Sequence, residues 1–471
     1  MKRLIMKRRL YLGFAAAAGL AAGAELPTLP EAAKHSDKTT LRQLLKPGVN
    51  VNAAEGDGST ALLWAAYKDD LESADLLIRA GANVNAANDI GVTPLWAASE
   101  NGSVAMVKKL LAAGANPSAK LASGETVVMT AARAGKSEVV DLLAAKGADL
   151  NAKATRGQTA LMWAIAQRHP ETVKVLLAHK ADVNVRSDVW TQLWQTAPDQ
   201  DVHPDYQSNV KYGGDTAILF AARYGDLESA KLLVAAGANV NDESAYGANT
   251  VVLAAHSGNT DVLQFLLDKD ANPNAAKAGY TAMHAAILRG NAKAIEVLLN
   301  HGADANAKLM ASTPVRRDSL DYYYHPGFVG ATPFWLAARF SQPAMMRLLA
   351  ARGADPGYVH TVSYWGRRGK DSKHTRVAPG KVTPLLAALG MGGINSVRAP
   401  LPSEREAIAL ESIKIAVEAG APVDAADQDG RTALEVATAL RYKSVIEYLT
   451  SKGAKLDRPA RPLPRVRVEE N

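Results

Sequence analysis

Five side chains suited to metal binding or acid–base chemistry, His203, Asp205, His325, His360 and His374, fall in three aromatic-rich stretches of the chain. Imidazole and carboxylate are common zinc ligands and common proton carriers, so their convergence would make a metal site or an acid–base pair. The spacing gives no support. No HExxH, GxSxG or Walker A pattern occurs, and no GxGxxG stands in a strand-to-helix context. The absence of cysteine excludes disulfides, thiolate metal sites, haem attachment through CxxCH and a lipid anchor on cysteine. His-Pro pairs at His169, His203 and His325 are read as turn geometry, since the residue before proline is held extended. The reading is no catalytic residue, no metal ligand and no cofactor.

The same stretches, 186–213, 309–329 and 358–381, hold 11 of the chain's 27 Phe, Trp and Tyr residues, which makes them the strongest non-repetitive signal. Long segments without a core of their own are usually polar. Aromatics there either fold back onto the rest of the chain or meet a ligand. Tyrosine and tryptophan near Arg316, Arg317, Arg367 and Arg368 suit peptide anchoring or sugar stacking. Tyr322, Tyr323, Tyr324, His325, Phe328, Trp190, Trp194, Tyr364 and Trp365 are therefore candidate partner-binding residues. A fourth insertion, 390–406, has no aromatic residue.

What positions these stretches is a repeat. Helix-opening residues fall at Thr60, Thr93, Thr126 and Thr159, then Thr216, Asn249, Thr281, Thr332, Thr383 and Thr432. In the unit "GVTPLWAASENGSVAMVKKLLAAGANPSA", Gly91 permits a tight turn, Thr93 caps a helix and Pro94 suits its first position. Leu95, Ala97 and Ala98 face inward, and Met106, Val107, Leu110 and Leu111 line a second helix that Gly114 ends. Ten such units cover nearly all of the chain beyond residue 56; the three aromatic-rich insertions sit where one second helix leads to the next first helix, and 390–406 lies between two helices. Residues 31–52 read as a polar N-terminal cap unit. At the other end Val445, Ile446 and Leu449 face the preceding unit, with Lys443 and Glu447 in water. The tail 458–471, rich in proline and arginine, reads as disordered.

The unit resembles the ankyrin repeat, whose G-x-T-P-L-H-x-A-A, glycine turn, apolar helix and G-A-D-V-N it follows. One departure is consistent: the histidine of that pattern survives only as His284, a structural hydrogen-bonder, and Leu63, Trp96, Met129, Met162 and others replace it. The resemblance implies an all-α solenoid with hairpin-like connections, no intrinsic activity, and protein–protein recognition on a concave face. It places Tyr67, Lys68, Glu100, Asn101, Arg133, Gln167, Arg223, Tyr224, His256, Ser257, Arg289, Arg339 and Phe340 on that face. Arg223, Tyr224, Arg339 and Phe340 join the partner-binding candidates, because Arg and Tyr anchor interfaces. The insertions are expected to rim the concave surface. A glycan or cell-wall binder is the alternative partner class, and a metal-dependent enzyme on the rim is third.

The formal charge is +7, but Lys2, Arg3, Lys7, Arg8 and Arg9 supply five of it, so the remainder gives no electrostatic case for nucleic acid. Those charges precede the apolar "LYLGFAAAAGLAAG" and the small-x-small Ala22-Gly23-Ala24, the pattern of an export signal cleaved near Ala24. The chain is thus expected in the periplasm or outside the cell, as a monomer without a permanent membrane span. Arg8-Arg9 leaves both the general and the twin-arginine export routes open.

Overall fold

A computed structural model describes residues 27–195, 207–313, 323–367, 374–391 and 400–456. The expected export signal and the expected disordered tail lie outside them. The described residues contain 22 α-helices, in pairs, and two two-stranded antiparallel sheets. First helices pack on first helices, as Ala61–Tyr67 on Pro94–Asn101 and that on Val127–Arg133; second helices do likewise. None of these helices is long and apolar enough to cross a membrane.

Local sequence explains the pairs. The hydroxyls of Thr60, Thr93, Thr126 and Thr159 each accept the N–H three residues on, as do Thr332, Thr383 and Thr432, while Asn249 does so through its amide oxygen. Each cap satisfies a donor that the helix leaves over. Thr216 departs from the rule and hydrogen-bonds Asp242. Alanines such as Ala65, Ala66, Ala97, Ala98, Ala131 and Ala132 are buried between adjacent first helices and let them approach closely. Each of Leu77, Leu110, Leu143 and Leu176 is fully buried at the same point of a second helix, worth about 2–3 kcal/mol of apolar transfer apiece. Where the family pattern carries histidine, Met129 sets its sulfur 3.4 Å from the Thr126 N–H. At the last unit Val445 and Leu449 are buried, Ile446 is half-buried, and Lys443 and Glu447 are exposed.

The turns after the second helices are tied by a ladder of asparagines. Asn52, Asn85, Asn241 and Asn274 each accept, through Oδ1, a backbone N–H of the next unit (Asn83, Asn116, Asn272 and Asp304) at 2.7 Å. Asn306 does the same to Asp355 at 2.7 Å, so the insertion between them leaves the ladder in register. At the next step both partners change together. Gly357 stands where the acceptor would be and Pro422, which has no N–H, where the donor would be. A Cβ on Gly357 would lie 3.6 Å from Pro422 Cδ.

The described parts of the insertions at 186–213 and 358–381 form two-stranded antiparallel ribbons. Strand β1 (Val189–Gln195) pairs with β2 (Gln207–Gly213), and β3 (His360–Arg367) with β4 (His374–Val382), whose register shifts between Val362 and Tyr364. The described part of 390–406 leads into a longer second helix, Arg405–Glu418.

The ladder gives a test. Asn274 also donates its Nδ2 to the Gly302 carbonyl at 3.0 Å, so Asn274→Ala removes two bonds between units. Chemical denaturation should show a loss of about 1–2 kcal/mol. An unchanged midpoint would mean that water replaces both bonds without cost.

Candidate functional site

The tyrosine-rich insertion is a piece of the core. Tyr324 is fully buried, Phe328 and His325 nearly so, and Tyr323 is half-buried. The Tyr324 hydroxyl donates to the His284 carbonyl at 2.7 Å, and its ring stacks on Phe340 with centroids 6.1 Å apart. Burial pushes that hydroxyl well above its ordinary pKa, which keeps it a donor. Phe328 meets Phe340 edge-on at 5.5 Å and lies 6.1 Å from Trp335. A single 3-10 turn, Pro326–Phe328, is pinned by the Gly327 N–H donating to His325 Nδ1 at 3.0 Å. The segment fills the space between helices Ala282–Arg289 and Pro333–Arg339, where a short turn would otherwise sit.

This corrects the expectation for Tyr324, His325 and Phe328, which no partner can reach in this arrangement. Arg339 is buried as well, and Phe340 is half-buried against the tyrosine. Tyr322, His203 and Asp205 lie outside the described residues, as do the side chains of Tyr364, Trp365 and His374. His360 is buried beneath the insertion. Its Nε2 lies 2.9 Å from the Gly327 carbonyl and its ring 4.6 Å from Trp335. Among the described residues no three His, Asp or Glu side chains are grouped to hold a metal.

Three histidines therefore surround one aromatic plug. His284, whose Nδ1 accepts the Thr281 N–H at 3.2 Å, is held down to about 4 by burial. Burial also holds His325 down to about 4, and lowers His360 against the opposing carbonyl of Gly327. Each is a base whose folded-state value lies below its unfolded one. Their neutral forms are stable above the ordinary value near 6.5, and that stability is lost as pH falls towards 4.

Trp190 and Trp194 project from one face of β1 onto Tyr212, with centroids 5.8 Å and 5.5 Å from it, and the Arg156 guanidinium covers Trp190 at 4.9 Å. Both indoles are half-buried, in a stack rather than an open platform. Val189 and Leu193, on the opposite face, are exposed. Tyr246 and Tyr280 continue the aromatic row at 6.5 Å from one another. They were legible only as departures at the approach to a helix cap, where most units carry small or polar residues.

The face that the family resemblance reads as concave keeps an accessible row. Tyr67 is 45% exposed and Tyr224 39% exposed, the latter stacked on Phe220 at 6.0 Å. Arg133 lies over Trp163 at 5.2 Å and pairs with Glu125 at 3.1 Å. Arg223 pairs with buried Asp215 at 2.8 Å. Polar side chains stitch the row to itself: Asn101 donates to the Tyr67 carbonyl at 2.7 Å, Asn259 to the Ala222 carbonyl at 3.0 Å, and Arg168 to the Tyr224 carbonyl. The row offers rings and cations already fixed in place.

Comparison with known proteins agrees with this architecture. Models described as ankyrin repeats (3 copies) match residues 29–121, 111–187, 200–277, 218–309 and 277–360, and one described as ankyrin repeats (many copies) matches 161–234. Human ankyrin repeat and SOCS box protein 3 is 29% identical over 102 residues, 21% of this chain and 20% of that protein. The Caenorhabditis elegans ankyrin repeat and KH domain-containing protein mask-1 is 25% identical over 202 residues, 42% of this chain and 6% of that protein. The matched stretches thus span a fifth or less of these relatives' own length. The solved human ASB11 ankyrin repeat domain is 27% identical, covering 52% of this chain and 98% of that one, with a TM-score of 0.42.

Two outcomes follow for the plug. Tyr324→Ala should cost about 3–5 kcal/mol and Tyr324→Phe only about 1, by denaturant titration. Similar losses would show that the ring does not fill the core. Melting temperature should drop between pH 7 and pH 4.5, and His284→Gln, which keeps a cap acceptor without titrating, should flatten that drop. An unchanged slope would contradict the assignment.

Proposed function

The chain belongs to the ankyrin-repeat family, and from that premise we propose that it is an exported scaffold that recognises a protein partner on its concave face. The observation that carries this reading is the row of Tyr67, Arg133 with Trp163, Arg223 and Tyr224 across successive first helices. Rings and guanidinium groups that are ordered before binding lose little entropy on association, the condition for interface anchors. The insertions then act differently from one another. The plug at 323–331 completes the array, while the β1–β2 ribbon leaves Val189 and Leu193 as an apolar edge beside the row. Export rests on the basic, apolar and small-residue order of residues 2–24.

Tyr67 and Tyr224 are exposed enough for removal without a core penalty, so Tyr67→Ser with Tyr224→Ser is the direct test. The wild-type chain should retain a specific protein from a periplasmic extract of its source, and the double variant should lose it while melting at the same temperature. Retention by both would place recognition elsewhere.

A further inference from the structure

Several carboxylates beside the first helices are neutralised within the chain. Glu55 pairs with Lys34 at 3.3 Å and accepts the Trp64 indole N–H at 2.9 Å. Glu125 pairs with Arg133 at 3.1 Å and accepts the Thr130 hydroxyl at 2.7 Å. Asp215 has Arg223. Glu100 makes no hydrogen bond or ion pair among the described residues, although it is half-buried. It stands near the end of helix Pro94–Asn101, between the helices that carry Tyr67 and Arg133.

The neighbouring charges define what it lacks. Burial raises the Glu100 carboxyl above its ordinary value; Arg133 opposes the rise and Glu125 adds to it. Arg133 is already engaged by Glu125 and by the Trp163 ring, so it answers Glu100 only from a distance. A half-buried carboxylate without a partner costs stability, and a cation that reaches it recovers the loss. An anionic ligand would meet an uncompensated like charge here.

We propose that Glu100 is the receptor for a lysine or arginine side chain of the partner protein, presented on a basic segment lying along the first three units. Tyr67, the exposed ring on the preceding helix, already has the Lys68 ammonium 5.9 Å from its centroid, so an aromatic face beside Glu100 accommodates a cation. The assignment rests on the concave face being the recognition surface and names the chemistry of its occupant.

The probe is a tetralysine peptide blocked at both ends, titrated calorimetrically into the whole chain at low ionic strength. Glu100→Gln should weaken binding about tenfold, whereas Glu138→Gln, the same charge change on an exposed second helix, should change it by less than about twofold. Glu100→Gln should melt no lower than wild type, since it removes an uncompensated charge. Equal weakening in both variants, no weakening in either, or a lower melting temperature for Glu100→Gln would overturn the proposal. With the natural partner, capture that survives Glu100→Gln but is lost from the Tyr67/Tyr224 variant would overturn the role of Glu100 alone. Capture that survives both would overturn the concave reading as well.

Discussion

Each unit of this solenoid buries its apolar face only against the next, and everything else in the molecule answers to that constraint. A first helix such as Pro94–Asn101 has no core of its own; Ala97 and Ala98 are buried because the neighbouring helices are there. An insertion between units is tolerable only if it leaves this contact intact or replaces it. The chain uses both solutions. The β1–β2 ribbon leaves the array at the connection, and the Asn306 to Asp355 bond stays in register across an insertion. At 323–331 the inserted residues enter the gap, and Tyr324 ties the His284 carbonyl to the Phe340 ring.

Much of this was legible in the sequence. The threonine caps, the glycine turns, the leucines at one point of each second helix and the polar outer face of the last unit all follow from patterns of short range, and the structure repeats them. The fate of the tyrosines was not legible. Whether Tyr324 is an anchor or a core residue depends on the distance between two helices that lie well apart from it in sequence, on either side, which no local rule supplies. Tyr246 and Tyr280 were missed for a related reason: each is a single departure within an otherwise ordinary unit. Gly357 and Pro422 are unremarkable apart and become meaningful only as a facing pair that has lost donor and acceptor together.

The division between structural and recognition residues follows the same physics. Aromatics that contact two units, such as Tyr324 between the His284 carbonyl and the Phe340 ring, are used up by the array. Those that contact one, such as Tyr67 and Tyr224, keep a face in water. Charges sort likewise: Asp215 and Glu125 are answered inside the chain, and Glu100 has no hydrogen bond or ion pair among the described residues. The accessible rings and the unanswered charge fall on the concave side, where the family resemblance places recognition.

The plug is expected to join the units on either side of it into one cooperative array. Native-state hydrogen exchange of the amides in Ala282–Arg289 and Pro333–Arg339 tests it most directly. If the plug couples them, the slowest amides of both helices will exchange with one opening free energy. Two values separated by more than about 1 kcal/mol would show that the array divides at the insertion, and that Tyr324 and its neighbours decorate a break rather than bridge it.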